Sequence, residues 1–372
     1  MSTSQNMNGL LQHDPPLLRR GKLVNPGEGI SIWWMGDDRI IFSAVSEDTG
    51  GEYTFWLDYP PAGAGPPKHV HSREEEGFFV LKGTLELKAG RLRQTVSDGT
   101  FFALPCGIPH EWRNVGDSTA EVITFTARGG NEGFFLELGE PGDEPAGEPR
   151  TMPVAEINAR AVRYGVTYME SSPDPLEGAL PIGEGRSATV VLAGEGERRY
   201  AAGATYNVKA AGQATAGAYT ATELVLEPGG GVPGHRHARY EEAFYVLQGT
   251  ATVLVDGDEY QAAAGALVLV PWGVHHRVQN RTAEMVRLLD LTVPGGIEEY
   301  YRCACRPLPG PLSDPEGDLE RLVVVGKQLG IEVDPRGGAD PGGGADPGGG
   351  PPHLAPPHSV SPSLSMRPNG AA

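Results

Sequence analysis

One pattern of histidines and glutamates constrains this chain more than any other feature. The stretch GAGPPKHVHSREEEGFFVLKG (63–83) reads Gly-x5-His-x-His-x4-Glu-x6-Gly and contains His69, His71 and Glu76. After fifteen intervening residues, GTFFALPCGIPHEWRN (99–114) reads Gly-x5-Pro-x-Gly-x2-His-x3-Asn and contains His110. On an extended strand residues i and i+2 share a face, so His69 and His71 point the same way. Glu76 begins the next strand and His110 lies beyond the following hairpin. Three imidazoles and one carboxylate can therefore converge inside a small barrel. Such a set suits a borderline divalent metal with coordination positions left open.

The whole pattern recurs. Gly229, His235, His237, Glu242 and Gly249 repeat the first motif, and Gly265, Pro271, Gly273, His276 and Asn280 repeat the second, every pair offset by 166 residues. A self-similar chain is parsed as repeats before anything else. Of the ten histidines, six fit ligand positions, three lie near the ends (His13, His353, His358), and His275 should point away from its neighbour His276. The adjacent acids are separated by spacing: the x6-Gly interval selects Glu76 and Glu242. Glu75 and Glu241 should face outward, and Arg73-Glu74-Glu75 reads as a solvated cluster.

Composition narrows the partners. A net charge of −18 argues against nucleic acid and anionic membrane, both of which need a basic footprint. No apolar run approaches the ~18 to 20 residues of a membrane span. The first twenty residues lack the basic start and apolar core of a secretory signal, and three cysteines form neither a disulfide framework nor a CxxC pair. Cytoplasm is the expected location.

Taken in order, residues 1–27 read as a mobile arm, 28–139 as a first barrel, 140–184 as a linker, 185–311 as a second barrel, 312–334 as a closing helix and 335–372 as a disordered tail. Strands are expected over 40–46, 53–59, 100–104, 120–126, 200–208 and 220–226, where β-branched and aromatic residues cluster between turn residues. A short helix is expected over 154–162, and 165–184 reads as irregular. Helical spacing recurs over 297–301 and 318–329, with Leu319, Leu322, Val323 and Leu329 as the apolar stripe. The tail, with two copies of ADPGGG, carries too little apolar surface to offset its ordering entropy. Phe78, Phe79, Phe101, Phe102 and Trp112 are expected around the first site, and Phe244, Tyr245 and Trp272 around the second.

The two motifs resemble those of the cupin superfamily, which implies an all-β chain of two tandem jelly-roll barrels with a few short helices. The bicupin layout, the HVHxxxxEG motif, the later EAFYVLQG and the closing LTVPGGIEEYYR are similar to bacterial bicupin quercetin 2,3-dioxygenases over residues 28–334. The resemblance implies that His69, His71, Glu76 and His110 hold one metal, and His235, His237, Glu242 and His276 another. It also implies a flavonol bound through its deprotonated hydroxyl, a ligand glutamate as base, and ring cleavage by dioxygen with loss of carbon monoxide. Glu76 is the first-choice catalytic base and Glu242 its counterpart. The cofactor is then a divalent transition metal (iron, manganese, cobalt, nickel or copper), up to two per chain. The partners are a small aromatic substrate and dioxygen, with a homodimer as an allowed assembly. Rival readings are a cupin cyclase of aromatic polyketides, an oxalate-decarboxylase-like enzyme and a non-enzymatic bicupin.

Overall fold

The computed structural model describes residues 20–170, 172–309 and 315–334. The expectations for residues 1–19 and for the tail from residue 335 lie outside the described residues. Each half is a sandwich of two antiparallel sheets, one of eight strands and one of five. The expected barrels are realised as these facing sheets. In the first half, His69–His71 and His110–Asn114 lie in the five-stranded sheet, and Glu75–Lys82 lies in the eight-stranded sheet. The second half repeats this with Gly231–His237, His276–Gln279 and Glu241–Gln248.

Alternation explains how one eight-stranded sheet serves two cores. Along Tyr53–Tyr59, Trp56 turns into its own sandwich while Phe55 and Leu57 turn outward. There they meet Leu289, Leu291 and Tyr245 of the second half in one apolar cluster, so the two eight-stranded sheets pack back to back. Strands buried on both faces lose the polar alternation of a half-exposed sheet. That is why Tyr53–Tyr59 and Glu241–Gln248 are almost continuously buried.

The halves also exchange strands. Thr189–Val191 extends the first half's eight-stranded sheet by pairing with Phe101–Leu104, and Lys22–Val24 pairs with Leu267–Val270 of the second half. Residues 22–24, expected within a mobile arm, are therefore fixed in a sheet. Their backbone groups satisfy an otherwise unpaired edge and Val24 enters the cluster between the halves.

After each sandwich the chain runs through a helix and returns as a short strand. The helix Val154–Ala161 precedes Val166–Tyr168, which pairs with His69–His71. The helix Pro315–Leu329 precedes Ile331–Asp334, which pairs with the strand carrying His235 and His237. Region 165–184 thus contains an ordered strand where irregular chain was expected. The closing helix buries Leu322, whereas Leu329 is exposed. Among the described residues no helix is long and apolar enough to cross a membrane.

Candidate metal centres

In each half the predicted ligands meet. His69, His71, Glu76 and His110 form one cluster and His235, His237, Glu242 and His276 the other, with all ligating atoms of a cluster within 4.8 Å of one another. Every member is buried. Register places them: His110 is directly opposite His69, and His276 directly opposite His235. The Pro-x-Gly turns fix the approach, since the Gly107 and Gly273 amides donate to the carbonyls of His71 and His237 at 2.8 Å. Both glycines have φ near +80°, where a side chain would be strained. His275 belongs to neither cluster.

Hydrogen bonds set which ring nitrogen faces inward. The Nδ1 atoms of His69 and His110 lie 2.8 Å from the carbonyls of Pro67 and Ile108. In the second half Nδ1 of His235 and His276 lie 2.9 Å from the carbonyls of Pro233 and Val274. A carbonyl only accepts, so each Nδ1 carries the proton and each Nε2 presents its lone pair. His71 donates instead to Glu74 at 3.2 Å, a carboxylate–histidine arrangement that raises the basicity of a metal ligand. Among the described residues His237 Nδ1 has no hydrogen-bond partner, because Tyr240 stands three residues after His237 where Glu74 follows His71.

The inward atoms fit a cation. His69 Nε2 and His110 Nε2 are 3.1 Å apart, an approach of two lone pairs that a shared positive ion relieves. Glu76 Oε2, 2.8 Å from His110 Nε2, and His276 Nε2, 2.7 Å from Glu242 Oε2, are buried without an aligned hydrogen bond. Converging acceptors without donors are what a divalent transition metal requires. Burial opposes the charge of Glu76, but His71 and His110 outweigh it and hold the carboxyl down to about 2. Glu242 is likewise held well below its ordinary range, against burial, by His276 and His237. Burial, reinforced by neighbouring imidazoles, keeps His69 and His235 well below the usual histidine value. Burial also lowers His71, yet Glu76 and Glu74 outweigh it and leave the group raised. A cation competes with that proton for the same lone pair.

Glu74 and Glu75 overturn the expectation of a solvated cluster, since they are 3% and 7% exposed. Glu74 orients His71, while Glu75 pairs with Arg186 through both of its carboxylate oxygens. Glu241 is buried as well and accepts from the Trp272 amide. Only the i+3 spacing of His71 and Glu74 hinted at this, and it is equally compatible with a surface turn.

The cavities over the two clusters differ. The first is walled by Trp34, Trp56, Phe78, Trp112, Phe134 and Tyr168, and also lined by Asp38 and Asp58. Tyr168 stacks on His69 with ring centres 5.1 Å apart, placed there by the added strand. Of the aromatics expected here, Phe79 and Phe101 belong to the cluster between the halves, and Phe102 packs behind Phe78. Trp34, Trp56, Phe134 and Tyr168 come from segments remote in sequence and were not anticipated. The second cavity is smaller, with about 440 Å3 of atom-free space against about 560 Å3. It is closed by Tyr206, Phe244, Tyr300 and Tyr301 with Leu322 and Ile331, while Tyr245 faces the other half and Trp272 does not line it.

Comparison with known proteins agrees with this architecture. The cupin domain family matches twice, at residues 55–126 and 222–292. Quercetin 2,3-dioxygenase of Bacillus subtilis (strain 168) is 27% identical over 313 residues, covering 82% of this chain and 91% of that protein. Germin-like protein 5-1 of Oryza sativa subsp. japonica is 42% identical, but over 73 residues, 33% of its length. Among solved structures, oxalate decarboxylase of Lactobacillus farciminis superposes with a TM-score of 0.52 at 15% identity, covering 74% of this chain and 86% of that one. The Bacillus subtilis oxalate decarboxylase gives 0.50 at 16% identity, covering 73% and 76%. These structural likenesses speak to the fold. With a three-histidine, one-glutamate cluster at the heart of each half, this polypeptide carries two cupin domains in the layout of a bicupin.

Proposed function

We propose that this bicupin is a metal-dependent dioxygenase that cleaves a flavonol or a related polyphenol, and that the first half performs the chemistry. The observation that carries the reading is the aromatic cavity into which three of the four clustered residues, His69, His71 and Glu76, open. Flat aromatic surface is complementary to such walls, each stacked pair contributing about 0.5–1.5 kcal/mol beyond burial. The relationship to a quercetin 2,3-dioxygenase over most of both chains supports the same substrate class.

Within this reading the side chains have distinct tasks. A metal held by the four ligands would supply Lewis acidity toward the substrate hydroxyl and a redox partner for dioxygen. Glu76, ionised and buried, accepts the proton of that hydroxyl. Trp56, Phe78 and Trp112 hold the rings and exclude water. Both oxygen atoms enter the ring-opened ester, and the carbon that bore the hydroxyl leaves as carbon monoxide. Glu242 is the corresponding base candidate in the second half, under a narrower cavity.

A small dicarboxylate, as in oxalate decarboxylases, is served less well. No Lys or Arg is among the described residues lining either cavity. Lys68, Lys88 and Arg93 do flank His110 on its other side. Each is engaged, however: Lys68 with the Asp174 carbonyl, Lys88 with Glu111 and Arg93 with the Gly90 carbonyl.

The deciding experiment loads the protein with single divalent metals and follows a flavonol in air and under nitrogen. Oxygen consumption equal to substrate loss, with release of carbon monoxide, is expected. Glu76→Gln should keep most of its metal while turnover falls by about 10²-fold or more. Unimpaired anaerobic turnover of an aromatic polyketide, with no oxygen-dependent flavonol loss, would replace this reading with a cyclase.

A further inference from the structure

The first cavity has a polar end that no metal ligand occupies. Asp38 and Asp58 lie on neighbouring antiparallel strands, facing inward beside Trp34 and Trp56. Register sets them apart from the metal cluster. Glu76 is level with Thr126 and Phe78 with Thr124, whereas Asp58 is level with Val122, two inward-facing rows from Glu76. The two aspartates are 7% and 6% exposed. Asp58 accepts a hydrogen bond from the Thr124 hydroxyl. Asp38 Oδ1, by contrast, is buried and has no hydrogen-bond partner among the described residues. Buried carboxyl oxygens without a donor are uncommon and destabilising, so each one asks for an explanation.

The fold does not supply one. At the positions 166 residues on, the second half has Ala204 and Leu224, yet it builds the same sandwich and the same ligand set. The pair of acids is therefore confined to this end of the first cavity; the second cavity carries instead one aspartate, Asp290, level with Phe244, which accepts from the Tyr301 hydroxyl and whose Oδ1 is without a partner among the described residues. An atom with lone pairs at the end of an aromatic slot fits a hydroxyl on an aromatic ring. An anionic group would meet two buried carboxyls and no cation.

We infer that Asp38, backed by Asp58, recognises a phenolic hydroxyl on the part of an aromatic substrate that lies away from the metal. This rests on the aromatic-substrate reading but does not require that dioxygen be the co-substrate. It makes Asp38 a specificity-determining residue. A site built to accept a hydroxyl discriminates strongly against the analogue that lacks it, because its own polar atom is then left unpaired.

The test uses metal-loaded protein and two readouts. In the first, binding is followed under nitrogen by quenching of tryptophan fluorescence with 4-ethylphenol, ethylbenzene and 2-phenylethylamine. Wild type should bind 4-ethylphenol at least about 10-fold more tightly than ethylbenzene, and Asp38→Ala should abolish that ratio. Asp38→Ala should also melt no lower than wild type, since it removes an unsatisfied buried acid rather than a structural contact. Equal phenol affinity in both proteins, or tighter binding of the amine, overturns the inference. In the second, kcat/KM is compared for flavonols with and without hydroxyls on the pendant ring. Their ratio should collapse toward one in Asp38→Ala, whereas a parallel fall for both substrates overturns it. If no flavonol is consumed at all, the functional reading fails while the binding ratio still decides the role of Asp38.

Discussion

Asp58 sits where its charge is least welcome. Burial pushes its carboxyl up to about 7 despite hydrogen bonds from Thr124 and Trp56, and the nearby Glu76 adds to the rise. Burial, together with Asp58 and Asp37, pushes Asp38 well above its ordinary range too. A carboxyl whose folded pKa exceeds its unfolded value stabilises the fold fully below the unfolded pKa, near 4. That contribution is lost as pH rises toward the folded value. Between pH 4 and pH 8 Asp58 should therefore withdraw on the order of a few kcal/mol of stability. Asp58→Asn, which cannot ionise, should melt above wild type at pH 8 by a margin that shrinks steadily toward pH 4. A difference in melting temperature that is flat across this range would show that Asp58 keeps an ordinary carboxyl pKa. Functional cavities carry such local costs, which the rest of the fold offsets.

At the scale of elements, each metal cluster depends on a strand that arrives late in the chain. Val166–Tyr168 covers the free edge of His69–His71, with Ser72 and Met169 amides closing the ladder at 2.8 Å onto Gly165 and Lys68 carbonyls. Thr167 faces solvent in its middle, opposite Val70. Thr167→Pro removes a donor from that ladder without touching the cavity. It should lower metal content from about two per chain toward one, and metal analysis of the purified variant checks this. Retention of both metals would mean that the His69–His71 strand holds its shape unaided. The histidine ligands were legible in the sequence because i, i+2 spacing and the Pro-x-Gly turn encode geometry locally. The added strands were not, since Val166–Tyr168 and Ile331–Asp334 are too short for alternation to show. Asp38, Asp58 and Trp34 were hidden for another reason: only sheet register brings them into the cavity that Glu76 also lines. Glu74 and Glu75 misled because three consecutive acids look solvated until Arg186, more than a hundred residues away, is seen to pair with Glu75.

Across the whole molecule, the two halves do not stand as separable bodies. Their eight-stranded sheets share one apolar cluster in which Phe55 and Phe125 meet Tyr219, Tyr245 and Leu291. Each half also lends the other a strand, so neither sheet is complete alone. Polar ties cross the same boundary: the Tyr219 hydroxyl donates at 2.8 Å to the backbone carbonyl of Glu76, and Arg186 links Glu75 to the Ala214 carbonyl. Unfolding one half would expose the other's apolar sheet and loosen the strand that carries its ligand glutamate. Metal-free protein should therefore unfold in one cooperative transition, with calorimetric and van't Hoff enthalpies equal. Phe125→Ala, which empties a fully buried site in the shared cluster, should cost about 3–5 kcal/mol. It should move the entire heat-absorption peak downward. Two resolved peaks in wild type, or a variant in which part of the peak stays in place, would show that the cupin halves fold independently in spite of their shared core.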